Sequence, residues 1–362
     1  MRESDHMLGS SEQDTSTTER VIEMAKEMGF VGGPTPLQHL KKLSDYLAGP
    51  RIWMKRDDLT VVGGGGNKTR KLELLIADAL LSNADVILTA GGIQSNHARQ
   101  TAAACTRFGL RCELFLQATA YSDDWYLHTG NVLLDRLFLA NLHGVDRDQD
   151  LYTAMVDYAN QLAAEGHKPY VIPYGGSNPL GAVGYALAAD EILDQCRDRD
   201  MTPGAIFMAM GSGGTQAGLA AGFGSTSDSR VVGVAVAPDA VSDRDVTDLA
   251  EATATLMGKH GIAPLEFDWN QAGTPYGVPT EEATAAIGLL ARIEGVLLEP
   301  VYTAKAMAAM ISWIETNRLD SSDVIFVHTG GGPGLFAYQN HLDGWLSETA
   351  PFGERAALSS TR

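Results

Sequence analysis

The sequence predicts an α/β protein with mainly parallel sheet. Three observations carry this. Short apolar runs rich in Val, Ile and Phe alternate with longer stretches of helical spacing along almost the whole chain. Four of those runs lead into glycine-rich loops, at Gly91-Gly92, Gly175-Gly176, Gly211–Gly218 and Gly330–Gly332. At 362 residues, with 44% hydrophobic and 20% charged side chains, the chain can bury a large core. Alternation of this kind builds parallel sheets covered by helices. Ligands of such sheets sit beyond the carboxyl ends of the strands, so four glycine-rich loops there point to one shared pocket.

Composition narrows the function. A net charge of −18 argues against nucleic acid and against an anionic membrane surface as partners. No apolar run approaches the roughly 18 residues of a membrane span. The N-terminus shows no apolar signal-peptide core, so the cytoplasm is the expected compartment. The three cysteines, Cys105, Cys112 and Cys196, form no C-x-x-C pair and lack zinc spacing. They fit buried free thiols in a reducing compartment, and no metal site is expected. The 39 glycines are clustered rather than periodic, which excludes collagen-like and low-complexity readings.

Residues 1–18 are polar and Ser/Thr-rich and read as a mobile tail. Weak helical character runs from 19 to 28, and Pro34-Thr35-Pro36 sets an extended entry to a short helix at 38–47. A strand is expected at 51–56, closed by Asp57-Asp58. A helix at 69–82, a strand at 86–89, a helix at 98–108 and a strand at 112–116 form a βαβ unit. Residues 119–131 read as irregular, with helices at about 131–140 and 150–165 beyond them. A strand at 169–173, a helix at 181–197, a strand at 205–210, a helix at 216–223 and a strand at 231–236 continue the alternation. Helices are expected at 244–259, 280–293 and 303–318, and a last strand at 324–329.

Two loops carry chemistry. Gly63–Gly66 precedes Asn67-Lys68 at the start of a helix whose apolar face is Leu72, Leu75, Ile76 and Ala79. Glycines let a backbone come close to a ligand, and a helix start presents free N–H groups to an anion. Alone, this would read as a glycine-rich turn with solvated Lys68, Arg70 and Lys71. The second loop, Gly211-Ser212-Gly213-Gly214-Thr215, lies between a strand and a helix and can cradle a phosphate. It lacks the G-x-x-x-x-G-K-[ST] and G-x-G-x-x-G spacings, which disfavours a nucleoside triphosphate or a dinucleotide. A lysine on one glycine loop and an anion cradle on another are what pyridoxal 5'-phosphate requires: a Schiff-base amine and a phosphate site. Ser95 and Asn96 fall at a helix start, where they serve as caps, ligands or both.

Ten ordered motifs then stand out: PTPL (34–37), KRDD (55–58), GGNKTRKLE (65–73), QSNHARQTAA (94–103), TGN (129–131), GGSN (175–178), GSGGTQAGL (211–219), YGVPTE (276–281), VYTAK (301–305) and HTGG (328–331). With them the chain resembles the D-cysteine desulfhydrase / 1-aminocyclopropane-1-carboxylate (ACC) deaminase family of fold-type-II pyridoxal-phosphate enzymes, from about Gly33 to Tyr338. The resemblance implies a tryptophan synthase β-like fold of two three-layer αβα domains. Residues 63–179 would form the smaller domain and carry the lysine; 1–62 and 180–362 would form the larger one. It implies Lys68 as the Schiff-base lysine, with Lys71 as runner-up. Gly211, Ser212, Gly213, Gly214 and Thr215 would hold the phosphate, and Asn96 the ring hydroxyl. Ser95, Asn96 and His97 would bind the substrate carboxylate, with Tyr276 and Tyr302 facing the substrate; the plain alternative for each tyrosine is a packing residue with a bonded hydroxyl. A homodimer acting on a small amino acid is implied as well.

Two positions separate branches of that family. ACC deaminases carry Glu and Leu where this chain has Thr303 and Thr329, which would lie near the cofactor's pyridine nitrogen. The threonines resemble the desulfhydrase branch, with D-cysteine as substrate and pyruvate, ammonia and hydrogen sulfide as products. An L-cysteate sulfo-lyase, releasing sulfite, shares them and is the alternative. ACC deamination and a catalytically silent cofactor-binding module rank lower. GSGGT for an expected GSAGT, and GGGPGLF (330–336) for a GGAPALF-like ending, depart from close desulfhydrases and leave the substrate open.

Overall fold

Short apolar runs become the strands of two separate sheets, each covered on both faces. The computed structural model describes residues 15–119, 121, 123–238, 241–273, 275–319 and 323–349. The chain opens with α1 (Thr15–Met28), β1 (Leu37–His39), α2 (Lys41–Leu47), β2 (Arg51–Lys55) and α3 (Lys68–Leu81). Then come β3 (Val86–Gly92), α4 (Asn96–Phe108), β4 (Arg111–Gln117), α5 (Asp124–His128), α6 (Gly130–Leu137), β5 (Asn141–Val145), α7 (Leu151–Ala164) and β6 (Pro169–Val171). The third stretch holds α8 (Pro179–Arg197), β7 (Ala205–Met210), α9 (Gly214–Phe223), β8 (Arg230–Ala235), α10 (Asp243–Leu256) and β9 (Leu265–Asp268). The chain closes with α11 (Glu281–Ile293), α12 (Thr303–Glu315), β10 (Asp323–Val327), α13 (Gly332–Ala337) and α14 (Gln339–Thr349).

The larger sheet has the order β1-β2-β10-β7-β8-β9, parallel except for the antiparallel edge strand β1. The smaller sheet, β5-β4-β3-β6, is parallel throughout. Side chains alternate between the faces of a strand. In β10, Val324 and Phe326 enter one core with Leu43, Leu290 and Met310, while Ile325 and Val327 enter another with Tyr185, Leu219 and Val246. In β3, Ile87 packs toward α3 and α4, while Val86, Leu88 and Ala90 pack toward α7. Each sheet is therefore the middle of three layers, as expected.

Several expectations need correction. The polar tail lies mostly outside the described residues, but α1 already begins at Thr15, and Thr18 is buried. Val21, Ala25 and Phe30 share a core with Leu72, Ile87 and Leu114. So α1, assigned from sequence to the larger unit, packs on the helices over the smaller sheet, where its apolar stripe finds its partner. The helix expected at 38–47 begins at Lys41, because Leu37–His39 pairs with Trp53–Lys55. The irregular stretch 119–131 holds α5, capped by Asp123, which accepts the Tyr126 N–H. Strands β5 and β9 were not expected; both are sheet edges whose half-exposed residues lack the apolar run of a central strand. Helices α13 and α14 were likewise not expected.

Candidate active site

The four glycine-rich loops after β3, β6, β7 and β10 all contribute to the wall of one cleft of about 650 Å³. Residues from the α3 start complete it. The loop before α3 has to be glycine. Gly65 has φ +77°, and a Cβ there would lie 2.0 Å from the Asp58 carbonyl oxygen. A single bridge pairs Gly66 with Gly330, and the Asn67 N–H donates to the Thr329 carbonyl (3.0 Å). The lysine loop is thereby pinned to the end of β10.

A buried ion cluster holds α3 from behind. Arg70 grips Asp57 with two hydrogen bonds of 2.9 Å and reaches Glu191 of α8 at 3.0 Å. Thr35 and Tyr185 also donate to Asp57. Burial raises the Asp57 carboxyl, but Arg70 overrides it, and the group sits below its ordinary range. Charges this deep are tolerated because they are paired and hydrogen-bonded.

Lys68 is the first residue of α3, and its amine donates to Asn67 Oδ1 (3.1 Å) in the cleft. Burial, then the nearby Arg99 charge, push it down to about 8. Lys71, one turn on, is buried in the cleft wall, and burial drives its amine well below the ordinary value. It donates to Gly175 O and Ser177 Oγ, and among the described residues no carboxylate pairs with it. A Cβ on Gly214 would lie 2.7 Å from Lys71 Nζ, so this amine abuts the expected phosphate loop.

That loop turns at Gly213, at φ +75°, and enters α9, whose first N–H groups have no intrahelical acceptor. Ser177 Oγ lies 2.8 Å from Ser212 Oγ and accepts the Gly214 N–H. Thr215 Oγ1 accepts from Asn67 Nδ2 at 2.9 Å, which joins the lysine loop to the cradle. A helix start, three hydroxyls and a buried amine lacking a carboxylate fit a phosphate, and Lys68 in the same cleft fits an aldehyde.

Ser95 caps α4, accepting the Ala98 N–H, and also lines the cleft, so both roles weighed for it coexist. Asn96 Oδ1 accepts from Arg99 (2.9 Å) and Asn131 (3.0 Å), which leaves Nδ2 as the free donor. His97 lines the cleft, and its ring is not the part that would meet a carboxylate. Thr89 Oγ1 donates to Ile172 O, so His97 Nε2 must carry the hydrogen it shares with Thr89. Nδ1 is then a bare acceptor, and burial holds the ring neutral. Only the backbone N–H of His97 remains to meet an anion.

Tyr276 and Tyr302 line the cleft with their hydroxyls bonded to each other. Burial, then its partner tyrosine, raise Tyr302 well above the ordinary value. Thr329 and Gly211 line the cleft too. Thr303 does not: it is fully buried, and its hydroxyl accepts the Glu299 N–H at 2.8 Å. The turn into α12 takes the side chain away from the cleft.

Sequence reasoning missed Asn67, Arg99, Ser177 and Glu299. Arg99 is fully buried and bonds Asn96, Asn131 and Gly65 O. Its signal was an arginine early in an alanine-rich helix, beside the Ser95-Asn96 start. Glu299 gave none beyond its place before Pro300.

Two three-layer units and one cleft lined by a half-buried lysine and a glycine cradle define an enzyme built around a phosphorylated aldehyde cofactor. The profile of the pyridoxal-phosphate dependent enzyme family matches residues 29–330, and the chain belongs to that family. Its cofactor is pyridoxal phosphate. A crystal structure described as an ACC deaminase homologue is similar, at 34% identity and a TM-score of 0.81, covering 90% of this chain and 98% of the other. At family level this is a pyridoxal-phosphate enzyme of the ACC deaminase / D-cysteine desulfhydrase type. No helix among the described residues is long and apolar enough to cross a membrane.

Proposed function

We propose that the protein eliminates a β-substituent from a small amino acid, with D-cysteine as substrate and pyruvate, ammonia and hydrogen sulfide as products. Pyridoxal phosphate, when bound, supplies the sink for the electrons left on Cα after its proton departs. Lys68, which carries the cofactor, is also the base for that proton; an amine held near 8 by burial is matched to this work near neutral pH. Ser95 and the first N–H groups of α4 bind the carboxylate. The Tyr276–Tyr302 pair protonates the departing sulfur.

The observation that carries the choice of substrate is the charge of the cleft wall. Among the described residues that line it, Lys68 and Lys71 are the only lysines or arginines. Lys68 is committed to the cofactor, and Lys71 abuts the phosphate loop. A neutral thiol meets hydroxyls and amides that suit it. The sulfonate of L-cysteate, the alternative, would meet the same neutral groups and lack a cationic partner. Thr329, where ACC deaminases carry Leu, supports the desulfhydrase branch. The cytoplasm fits three buried free thiols. A homodimer fits the exposed Leu133, Leu137 and Leu139 on and after α6.

Pyruvate release from D-cysteine, L-cysteine, L-cysteate, β-chloro-D-alanine and D-serine, with 2-oxobutanoate release from ACC, tests the reading. D-cysteine should lead; L-cysteate in first place would move the protein to the sulfo-lyase branch. Borohydride reduction and peptide mapping should find the cofactor on Lys68, and a label on Lys71 would overturn that assignment. A colourless protein that takes up no added cofactor would make it a silent module.

A further inference from the structure

Behind the tyrosine pair lies a second, separate cavity of about 10 Å³, room for one water. Its wall includes Tyr276, Tyr302, Thr119, Asn96 and Glu299. Glu299 is 2% exposed. Its Oε1 accepts the N–H groups of Tyr302 (2.7 Å) and Thr303 (2.8 Å). Its Oε2 accepts only that of Val301 (3.0 Å), which leaves a lone pair. A Cβ on Gly331 would come within 2.5 Å of Glu299 Cγ and 2.9 Å of Asn96 Nδ2, so the carboxylate and the Asn96 amide flank one point.

We propose that Glu299 is the proton store of the Tyr276–Tyr302 pair, joined to it by one water in this cavity. The proposal rests on the tyrosines working on the substrate as described above. In the step itself, the acid form of Glu299 gives its proton to the water, and the water gives one to the tyrosine pair. The pair gives one to the departing sulfur anion. The Oε2–H bond is broken, an S–H bond is formed, and Glu299 is left as a carboxylate held by three N–H donors. Lys68, which by then holds the α-proton, returns one along the same chain.

The surroundings suit a group that takes and gives a proton. Burial pushes the carboxyl up, against its three N–H donors. The charged and titratable groups around it, among the described residues, include Lys68, Arg99, Lys305, Tyr126, Tyr276, Tyr302 and Tyr338. None of the three cations is hydrogen-bonded to it: Lys305 donates to Val236 O and Ala272 O, Arg99 to Asn96, Asn131 and Gly65, and Lys68 to Asn67. Among the described residues, Glu299 thus has no fixed counter-ion to hold it ionised.

Infrared spectroscopy of the cofactor-free protein tests this without turnover. Unmodified protein minus Glu299→Gln should show one carboxylic-acid carbonyl band at a pH where ordinary carboxylates are ionised. Subtraction removes Asp135, another buried carboxyl pushed up to about 8. The band should shift in Tyr302→Phe, a comparison with unmodified protein that remains readable if Glu299→Gln does not fold. In the holoenzyme, Glu299→Gln should lower kcat for D-cysteine about a hundredfold, the usual scale of a lost general acid, with KM little changed and one limb of the pH profile gone. A missing band, a band indifferent to Tyr302→Phe, or a Glu299→Gln enzyme with an unaltered pH profile and only a lower melting temperature would overturn the proposal. If no tested amino acid yields pyruvate, the functional reading fails, and the infrared result still decides the link between Glu299 and the tyrosines.

Discussion

Replacing Lys68 with Met should make the cofactor-free protein more stable at pH 7 while abolishing turnover. The side chain is half-buried in the cleft wall, and desolvation there lowers its amine from 10.5 to about 8. Each pKa unit is worth about 1.4 kcal/mol, so keeping the amine charged inside the fold costs about 3 kcal/mol. The sign follows from the direction. Below pH 8 the amine is charged in both the folded and the unfolded chain, and the whole cost is present. Between pH 8 and 10.5 the folded protein has released the proton while the unfolded chain keeps it, and the cost fades. Above 10.5 it is gone. Met removes the cost and fills similar space, and it forfeits the hydrogen bond to Asn67 Oδ1, worth about 1 kcal/mol. The expected net gain is about 2 kcal/mol at pH 7, shrinking as pH rises toward 10.5. Urea denaturation of both cofactor-free proteins at several pH values measures it. A variant less stable than the parent at pH 7, or a gain that does not change with pH, would refute the claim that this lysine is held against its solvation preference.

Three further outcomes are expected. Gly213→Ala forces a side chain onto φ +75° and sets its Cβ 2.6 Å from Val246 Cγ2; cofactor titration should show affinity lowered about five- to a hundredfold, since a strained turn of this kind costs roughly 1–3 kcal/mol. Asp57→Ala leaves Arg70 buried without its bidentate partner and should destabilise by about 3–5 kcal/mol in denaturant unfolding; a loss under 1 kcal/mol would show that Glu191 alone suffices. ACC should be deaminated poorly by the unmodified protein, and Thr329→Leu should raise 2-oxobutanoate formation slightly; efficient ACC turnover without the change would reverse the branch assignment.

Much of this protein was legible from local signals. The alternation of apolar runs and helical stretches placed most central strands, because a strand covered on both faces must be apolar on both. The glycine clusters marked the ends of β3, β6, β7 and β10, because a backbone that approaches a ligand or takes a positive φ excludes side chains. Lys68, Ser95, the Gly211–Thr215 loop, Tyr276, Tyr302 and Thr329 were named from motif and position, and all line one cleft. Other features depend on residues far apart in the chain, and only the tertiary structure decided them. The edge strands β5 and β9 exist because a neighbouring strand offers a ladder. The helix α1 settles on α3 although sequence order suggests the larger unit. The His97 ring is turned into an acceptor by Thr89 and Ile172, and Thr303 is turned from the cleft by Glu299. Glu299 itself is unremarkable until Gly331, Asn96 and two tyrosines close around it. A carboxylate's work is set by its burial and neighbours, and those are properties of the fold.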